Sequence, residues 1–226
     1  MTIQKTNQIK AQYSSILASL LNKKVAVIDV GCGAGWLTNS IGYYYKTSTL
    51  GIDYNTVALK QANQVAALLK TNSNFVAADF FNFNTSCLFD VVICLGVLHH
   101  TNNCLKGLQH LCRNYVKKNG YLFVGLYHKF GRKPFLDHFN KLKLKNSNEQ
   151  LYQEYKKLHT HLVCEDDTFL KSWFHDQVLR PHETQHTLSE LLPVLKSENM
   201  QLKLTSINQF KQLSKRTTFI IWKKNT

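Results

Sequence analysis

Short stretches that are apolar on nearly every residue alternate with longer amphipathic stretches through the first half of the chain. The apolar runs are VAVIDV (25–30), TLGID (49–53), FVAAD (75–79), DVVICL (90–95) and YLFVGL (121–126). A strand that is apolar on successive residues must be buried on both faces, as in a parallel sheet covered by helices. Between the runs, the spacing predicts helices over about 35–46, 55–70 and 103–118. The second places Val57, Ala58, Ala62, Val65, Ala66 and Leu69 on one side, and the third does the same with Leu105, Leu108, Leu111, Cys112 and Tyr115. This alternation predicts a doubly wound α/β fold. Ahead of it, Ile16, Leu17, Leu20 and Leu21 recur at helical spacing, predicting an N-terminal helix within residues 1–24.

Residues 127–181 break the rhythm, being rich in aromatic, histidine and lysine residues with helical spacing at Phe135, Leu136, Phe139 and Leu142, then at Leu151, Tyr152, Tyr155 and Leu158. An insertion after the fifth strand, at the carboxyl edge of the sheet, would lie over the ligand crevice, so it reads as a helical lid. Thr187-x-x-Glu190 then forms a capping box opening a helix to about 199. LKLTSI (202–207) and TTFIIW (217–222) close the pattern as an antiparallel pair. A single domain over 1–226 accounts for the whole pattern.

Composition narrows the class. With 44% hydrophobic residues the chain can bury a core, which excludes general disorder. No apolar run approaches the ~18 residues a membrane-spanning helix needs, and MTIQKTNQIK is too polar for a signal peptide. A soluble cytoplasmic protein without membrane contact is expected. The cysteines at 32, 87, 94, 104, 112 and 164 form no CxxC pair and read as reduced core thiols, with no metal centre. The net charge of +14 invites a polyanion partner such as tRNA. However, only four of the basic residues are arginine (113, 132, 180 and 216), and residues 1–126 and 127–226 each carry a net +7. Arginine is the residue favoured for base and bidentate phosphate recognition, so the charge reads chiefly as a lysine-rich composition.

The sharpest motif is Asp29-Val-Gly31-Cys32-Gly33-Ala-Gly35 at the end of the first run. Glycines there permit a tight turn and close approach of a ligand to the backbone. The dinucleotide fingerprint GxGxxG fails in both registers, since Trp36 and Thr38 stand where its third glycine belongs. Between residues 25 and 100 the only acids are Asp29, Asp53, Asp79 and Asp90, and three of them end or nearly end a predicted strand. A loop edge lined by carboxylates suits a cation better than a diphosphate.

VIDVGCGAG (27–35), GIDYN (51–55), FVAADF (75–80), FDVVICLGVLHHT (89–101) and NGYLFVGLY (119–127) together resemble the class I S-adenosylmethionine-dependent methyltransferases. The resemblance implies a Rossmann-like seven-stranded sheet with the last strand antiparallel, and S-adenosylmethionine across the carboxyl ends of strands one to four. It implies that Asp29 steadies the loop and the methionine ammonium, and that Gly31, Cys32, Gly33 and Gly35 pack beneath the methionine and ribose. Asp53 would accept the ribose hydroxyls with Tyr54 against the adenine. Asp79 would accept the adenine amino group beside Phe80, and Leu95 would supply backbone near the methionine end.

His99 and His100, just after the fourth strand, are candidates to position or deprotonate an acceptor. Tyr127, His128, Trp173, His175, His182 and His186 are candidates to bind it, with Asp176 beside them. LGVL stands where amino-methylating DNA enzymes carry Asn/Asp-Pro-Pro-Tyr/Phe, which argues against that chemistry. His182-Glu183-x-x-His186 matches the zincin pattern, but Pro181 before it and the capping Thr187 after it predict a turn rather than a zinc-binding helix. His159 and His161 read as solvated. The sequence therefore leads to methyl transfer onto an oxygen or nitrogen of a small molecule. Methylation of tRNA at a wobble uridine and a non-catalytic cofactor-binding partner subunit are the alternatives.

Overall fold

The computed structural model describes residues 17–21, 24–159, 167–179, 182–206 and 217–225. Seven strands, β1 (Val27–Val30), β2 (Thr49–Asp53), β3 (Ser73–Ala77), β4 (Phe89–Leu95), β5 (Val116–Tyr127), β6 (Met200–Thr205) and β7 (Thr217–Lys224), form one sheet. Their order is β3-β2-β1-β4-β5-β7-β6. β7 runs antiparallel to both neighbours, and the pairings from β3 to β5 are parallel. This is the doubly wound α/β sheet with a reversed last strand that the sequence predicts. Among the described residues, the helices are α1 (Trp36–Tyr45), α2 (Thr56–Leu69), α3 (Cys104–Asn114), α4 (Lys129–Lys143), α5 (Asn148–Leu158), α6 (Asp167–Phe174) and α7 (Leu188–Ser197). A 3-10 turn spans Leu98–His100 and a π-helical turn spans His175–Leu179. No helix among the described residues is long and apolar enough to cross a membrane.

Side chains alternate across the central strands, so each strand feeds both layers. Ile28, Val92, Leu122 and Trp222 pack with Leu108 and Leu111 of α3 and Leu195 of α7. Val27, Val91, Phe123 and Ile221 pack on the other face with Leu37 and Ile41 of α1 and with Leu17 and Leu21. The helices start where a polar side chain can satisfy their unpaired amides. Asn55 accepts from Val57 and Ala58, Asn103 from Lys106, and Thr187 and Glu190 form the expected reciprocal capping box. Helices α4, α5, α6 and the π-helical turn carry a core of their own, including Phe135, Phe139, Tyr155 and Phe174.

Several boundaries differ from the sequence expectation. The third helix stops at Asn114 rather than near 118, because Val116 already pairs with Phe89 in the sheet. β3 lies two residues earlier than the apolar run, with Ser73 and Asn74 paired to Thr49 and Leu50 on the edge of the sheet. Residues 17–21 are helical, and the rest of the predicted N-terminal helix falls outside the described residues. His159 is buried and stacked on the Tyr155 ring at 4.1 Å, not solvated, whereas His161 lies outside the described residues. Cys32, Cys94, Cys104 and Cys112 are buried free thiols and Cys87 is an exposed one. Cys164 lies outside the described residues.

Candidate active site

In a doubly wound sheet the chain crosses from one side to the other where the order reverses, and here that point lies between β1 and β4. Loops diverge there and leave a crevice at the carboxyl ends of the strands. A cavity of about 620 Å³ occupies it, bounded by the loops after β1, β2, β3 and β4. That volume lies within the range usual for sites that take small ligands and cofactors.

The floor is the glycine loop. Gly31, Gly33 and Gly35 all have left-handed φ, and so does Gly96 after β4. A side chain at Gly31 would strike Val97, and one at Gly35 would strike Ala62 and Phe75, so these two glycines serve packing. A Cβ at Gly33 or Gly96 would meet nothing within 4 Å, so there the absence of a side chain keeps space open. The Gly31 and Cys32 amides donate to the Ile52 carbonyl, and the Gly33 amide donates to Asp53 Oδ2 at 2.8 Å. Asp53 Oδ1 accepts from the Asn55 amide, so one carboxylate ties the first two loops together. Beneath the loop Asp29 is 4% exposed and accepts from Thr38 Oγ1 at 2.6 Å. Burial raises its carboxyl pKa to about 6, and the negative charge of Asp53 acts in the same direction.

Tyr54 lies in the wall at 78% exposure, with its ring free to receive a flat ligand. Opposite, Asp79 accepts from the Phe81 amide and from Asn82 Nδ2, which shapes the turn that brings Phe80 and Phe81 to the cavity. The Phe80 carbonyl is fixed from behind by the buried Tyr115 hydroxyl at 2.5 Å. Leu95 and Gly96 complete the wall. Of the residues expected to hold a cofactor, Gly31, Gly33, Asp53, Tyr54, Asp79, Phe80 and Leu95 line the cavity. Asp29 sits beneath the loop, Cys32 is buried, and Gly35 heads α1.

The two histidines separate. His99 is buried with its ring 4.0 Å from that of Tyr127, and its carbonyl accepts from the Thr184 amide. His100 lines the cavity, with Nδ1 3.2 Å from the His182 carbonyl and Nε2 3.5 Å from Asp176 Oδ1. The Tyr127 hydroxyl donates to the other Asp176 oxygen at 3.4 Å. His182 reaches the Thr101 carbonyl through Nε2. His128 and His186 form a β-bridge to one side, where His128 caps α4 and His186 faces Glu190. Burial lowers the pKa of both. Trp173 and His175 are exposed on the helical insertion and do not line the cavity. The segment from His182 to Gln185 is not helical, and Glu183 is bound to Arg132, so the zincin spacing builds no zincin site. Among the described residues, no group of three or more His, Cys, Asp or Glu could hold a metal ion. Asn103 and Lys106 also line the cavity from the start of α3, outside the residues expected from the sequence. Their only sequence signal is their place just after the LHHT motif.

A family model described as a methyltransferase domain matches residues 21–212. The chain belongs to the methyltransferase domain family. The likeness to class I S-adenosylmethionine-dependent methyltransferases drawn from the motifs is borne out by this match and by the sheet order. Relatives include the tRNA U34 carboxymethyltransferase of Campylobacter fetus, 30% identical over 48% of this chain and 39% of its own length. The ubiquinone biosynthesis O-methyltransferase of Histophilus somni is 32% identical over 54% of this chain and 52% of its own length. The methyltransferase chain thus spans about half the length, or less, of these curated relatives. Two solved structures share the fold at 16% identity. PKMT2 of Rickettsia typhi in complex with AdoHcy has a TM-score of 0.67, over 89% of this chain and 49% of that one. Magnesium protoporphyrin IX methyltransferase of Synechocystis PCC 6803 with bound SAH has a TM-score of 0.65, over 97% of this chain and 83% of that one.

Proposed function

We propose that this methyltransferase moves the methyl group of S-adenosylmethionine to an oxygen or nitrogen of a small-molecule acceptor, under a lid to which α4, α5, α6 and the π-helical turn belong. The cavity fits the cofactor on its own chemistry. Gly33 and Gly96 leave a hollow that a side chain would fill, and the walls offer the carboxylates of Asp53 and Asp79 and the rings of Tyr54, Phe80 and Phe81, with Lys106 also in the lining. The backbone of residues 31–35, supported from beneath by Asp29, would hold the methionine portion. Asp53 and Tyr54 would hold the ribose and one adenine face, and Asp79 and Phe80 the adenine edge, with Leu95 at the reacting end. When bound, S-adenosylmethionine supplies a methyl group on a cationic sulfur, which leaves by in-line displacement.

The chain's own part in the transfer is alignment, exclusion of water and management of one proton. With Nδ1 turned to the His182 carbonyl, His100 has its buried Nε2 against Asp176, and the base role requires the acceptor to reach that edge of the ring. The acceptor proton would pass to His100 Nε2, and Asp176 would stabilise the imidazolium. The observation that carries the small-molecule reading is the carboxylate of Asp176 beside that base. It favours a neutral or cationic acceptor and repels a phosphodiester. The net charge of +14 and the tRNA-modifying relative favour a second reading, tRNA as acceptor. Incubation with methyl-labelled cofactor and, separately, a metabolite extract and bulk tRNA tests the two. Label in small molecules supports the first reading. Label in tRNA that falls steeply with added salt replaces it with the second.

A further inference from the structure

Arg132 is 0% exposed, an unusual place for a guanidinium, and its partner Glu183 is nearly as deep. Arg132 Nε donates to Glu183 Oε1 at 2.8 Å and Nη2 to Oε2 at 2.6 Å, while Nη2 also donates to the Gln177 carbonyl at 2.6 Å. The guanidinium lies over the Tyr127 ring at 4.4 Å and the Phe135 ring at 4.5 Å. Three segments distant in sequence therefore meet on one side chain: the first turn of α4, the π-helical turn and the 182–186 strap. The two acceptors of Arg132 each stand next to a neighbour of His100. Gln177 follows Asp176, which faces His100 Nε2, and Glu183 follows His182, whose carbonyl faces His100 Nδ1. Tyr127, beneath the guanidinium, also reaches Asp176. A buried ion pair contributes little net stability compared with apolar residues of the same volume, so stability alone does not account for it.

We propose that the Arg132–Glu183 pair is a positioning device for the acceptor side of the site. It fixes the backbone at Gln177 and Glu183 so that Asp176 and the His182 carbonyl take opposite ends of the His100 ring. The proposal rests on the reading of His100 as the acceptor-side base, but its test does not need an acceptor. Arg132 and Glu183 touch neither cofactor nor acceptor. They act through His100, which they hold in one ring orientation with an acceptor at each ring nitrogen.

The test is long-range proton–nitrogen NMR of the full chain carrying nitrogen-15 histidine, with S-adenosylhomocysteine present. The wild type should give one fixed His100 pattern, with a proton held on Nδ1 toward the His182 carbonyl. Arg132→Met/Glu183→Leu removes both charges together and should keep the melting temperature and the cofactor shift, yet give a His100 signal averaged over more than one ring orientation. Arg132→Lys is the second variant. It keeps a positive charge against Glu183 but cannot span both carboxylate oxygens and the Gln177 carbonyl, so it should give the averaged pattern as well. A wild-type His100 pattern in either folded variant overturns the proposal, because the charge or the packing alone would then suffice. His100→Gln, assayed for label transfer into the metabolite extract, tests the underlying reading separately. Full transfer there removes the base role, whereas the NMR result still decides the clamp.

Discussion

Gly33→Val tests the cofactor site most directly, because the structure separates its effect on the ligand from its effect on the fold. A Cβ at Gly33 meets nothing within 4 Å, so the free protein has room for the new side chain. The intrinsic cost is the left-handed backbone at φ 53°, about 1–2 kcal/mol for a residue with a Cβ. In a chain of this size each kcal/mol lowers the melting temperature by roughly 2–4 °C. Gly33→Ala carries most of that backbone cost with little bulk and calibrates it. S-adenosylhomocysteine at a hundred times its dissociation constant should stabilise the native protein by about 2.7 kcal/mol, or roughly 5–11 °C at the same conversion. In scanning fluorimetry, wild type should show this ligand-induced rise, and Gly33→Val should fold with a modestly lower midpoint and show none. NAD should shift neither. Gly31→Ala provides the contrast, since its Cβ would lie 2.1 Å from Val97 Cγ2 and its damage should appear without ligand. An undiminished ligand shift in Gly33→Val would refute the placement of the cofactor over this loop.

Burial favours the protonated form of Asp29, with its folded pKa near 6 against an ordinary 3.8, so keeping it ionised in the folded protein costs about 3 kcal/mol. That stabilisation by the proton is complete below about pH 4 and is lost as the pH rises through 6. Asp29→Asn should therefore flatten this limb of the melting curve against pH and leave the free protein no less stable at pH 7.5, while weakening the cofactor shift. Tyr115→Phe leaves the Phe80 and Phe83 carbonyls without their shared donor. It should cost about 1–3 kcal/mol and weaken S-adenosylhomocysteine binding measured by calorimetry, through the Asp79–Phe80 turn. His100→Gln should lower turnover by roughly 10²–10⁴-fold with the cofactor shift intact, and equal loss of both would move His100 to the cofactor pocket.

The central sheet could be read from the sequence because β1, β2 and β4 are buried on both faces, and continuous apolar runs are the signature of that burial. β3 is an edge strand with polar residues at its start, so its apolar run marked only its second half. The overlong third helix came from Lys117 and Lys118, which suit a helix as well as an exposed strand. Asn119-Gly120 does carry a signal, since Asn tolerates the left-handed φ of 62° that it adopts within β5, but it marks a break and not a strand. The glycine loop and the strand-terminal aspartates were visible because they cluster in short motifs. The difference between His99 and His100 was not, since adjacent histidines have the same chemistry until packing buries one against Tyr127. Arg132 and Glu183 are 51 residues apart and each looks like an ordinary surface charge, so their meeting is a product of tertiary structure alone.

The position of β7 inside the sheet also bears on how the protein is made. β6 leaves the ribosome before β7 but among the described strands pairs only with β7, and the outer edge of β5 waits for the same strand. During translation the nascent chain must therefore carry two unpaired strand edges until the segment ending at Lys224 emerges. Such edges are the ones chaperones cover and aggregates exploit. The yield of native enzyme in a cell should depend on how fast β7 inserts once it has been made.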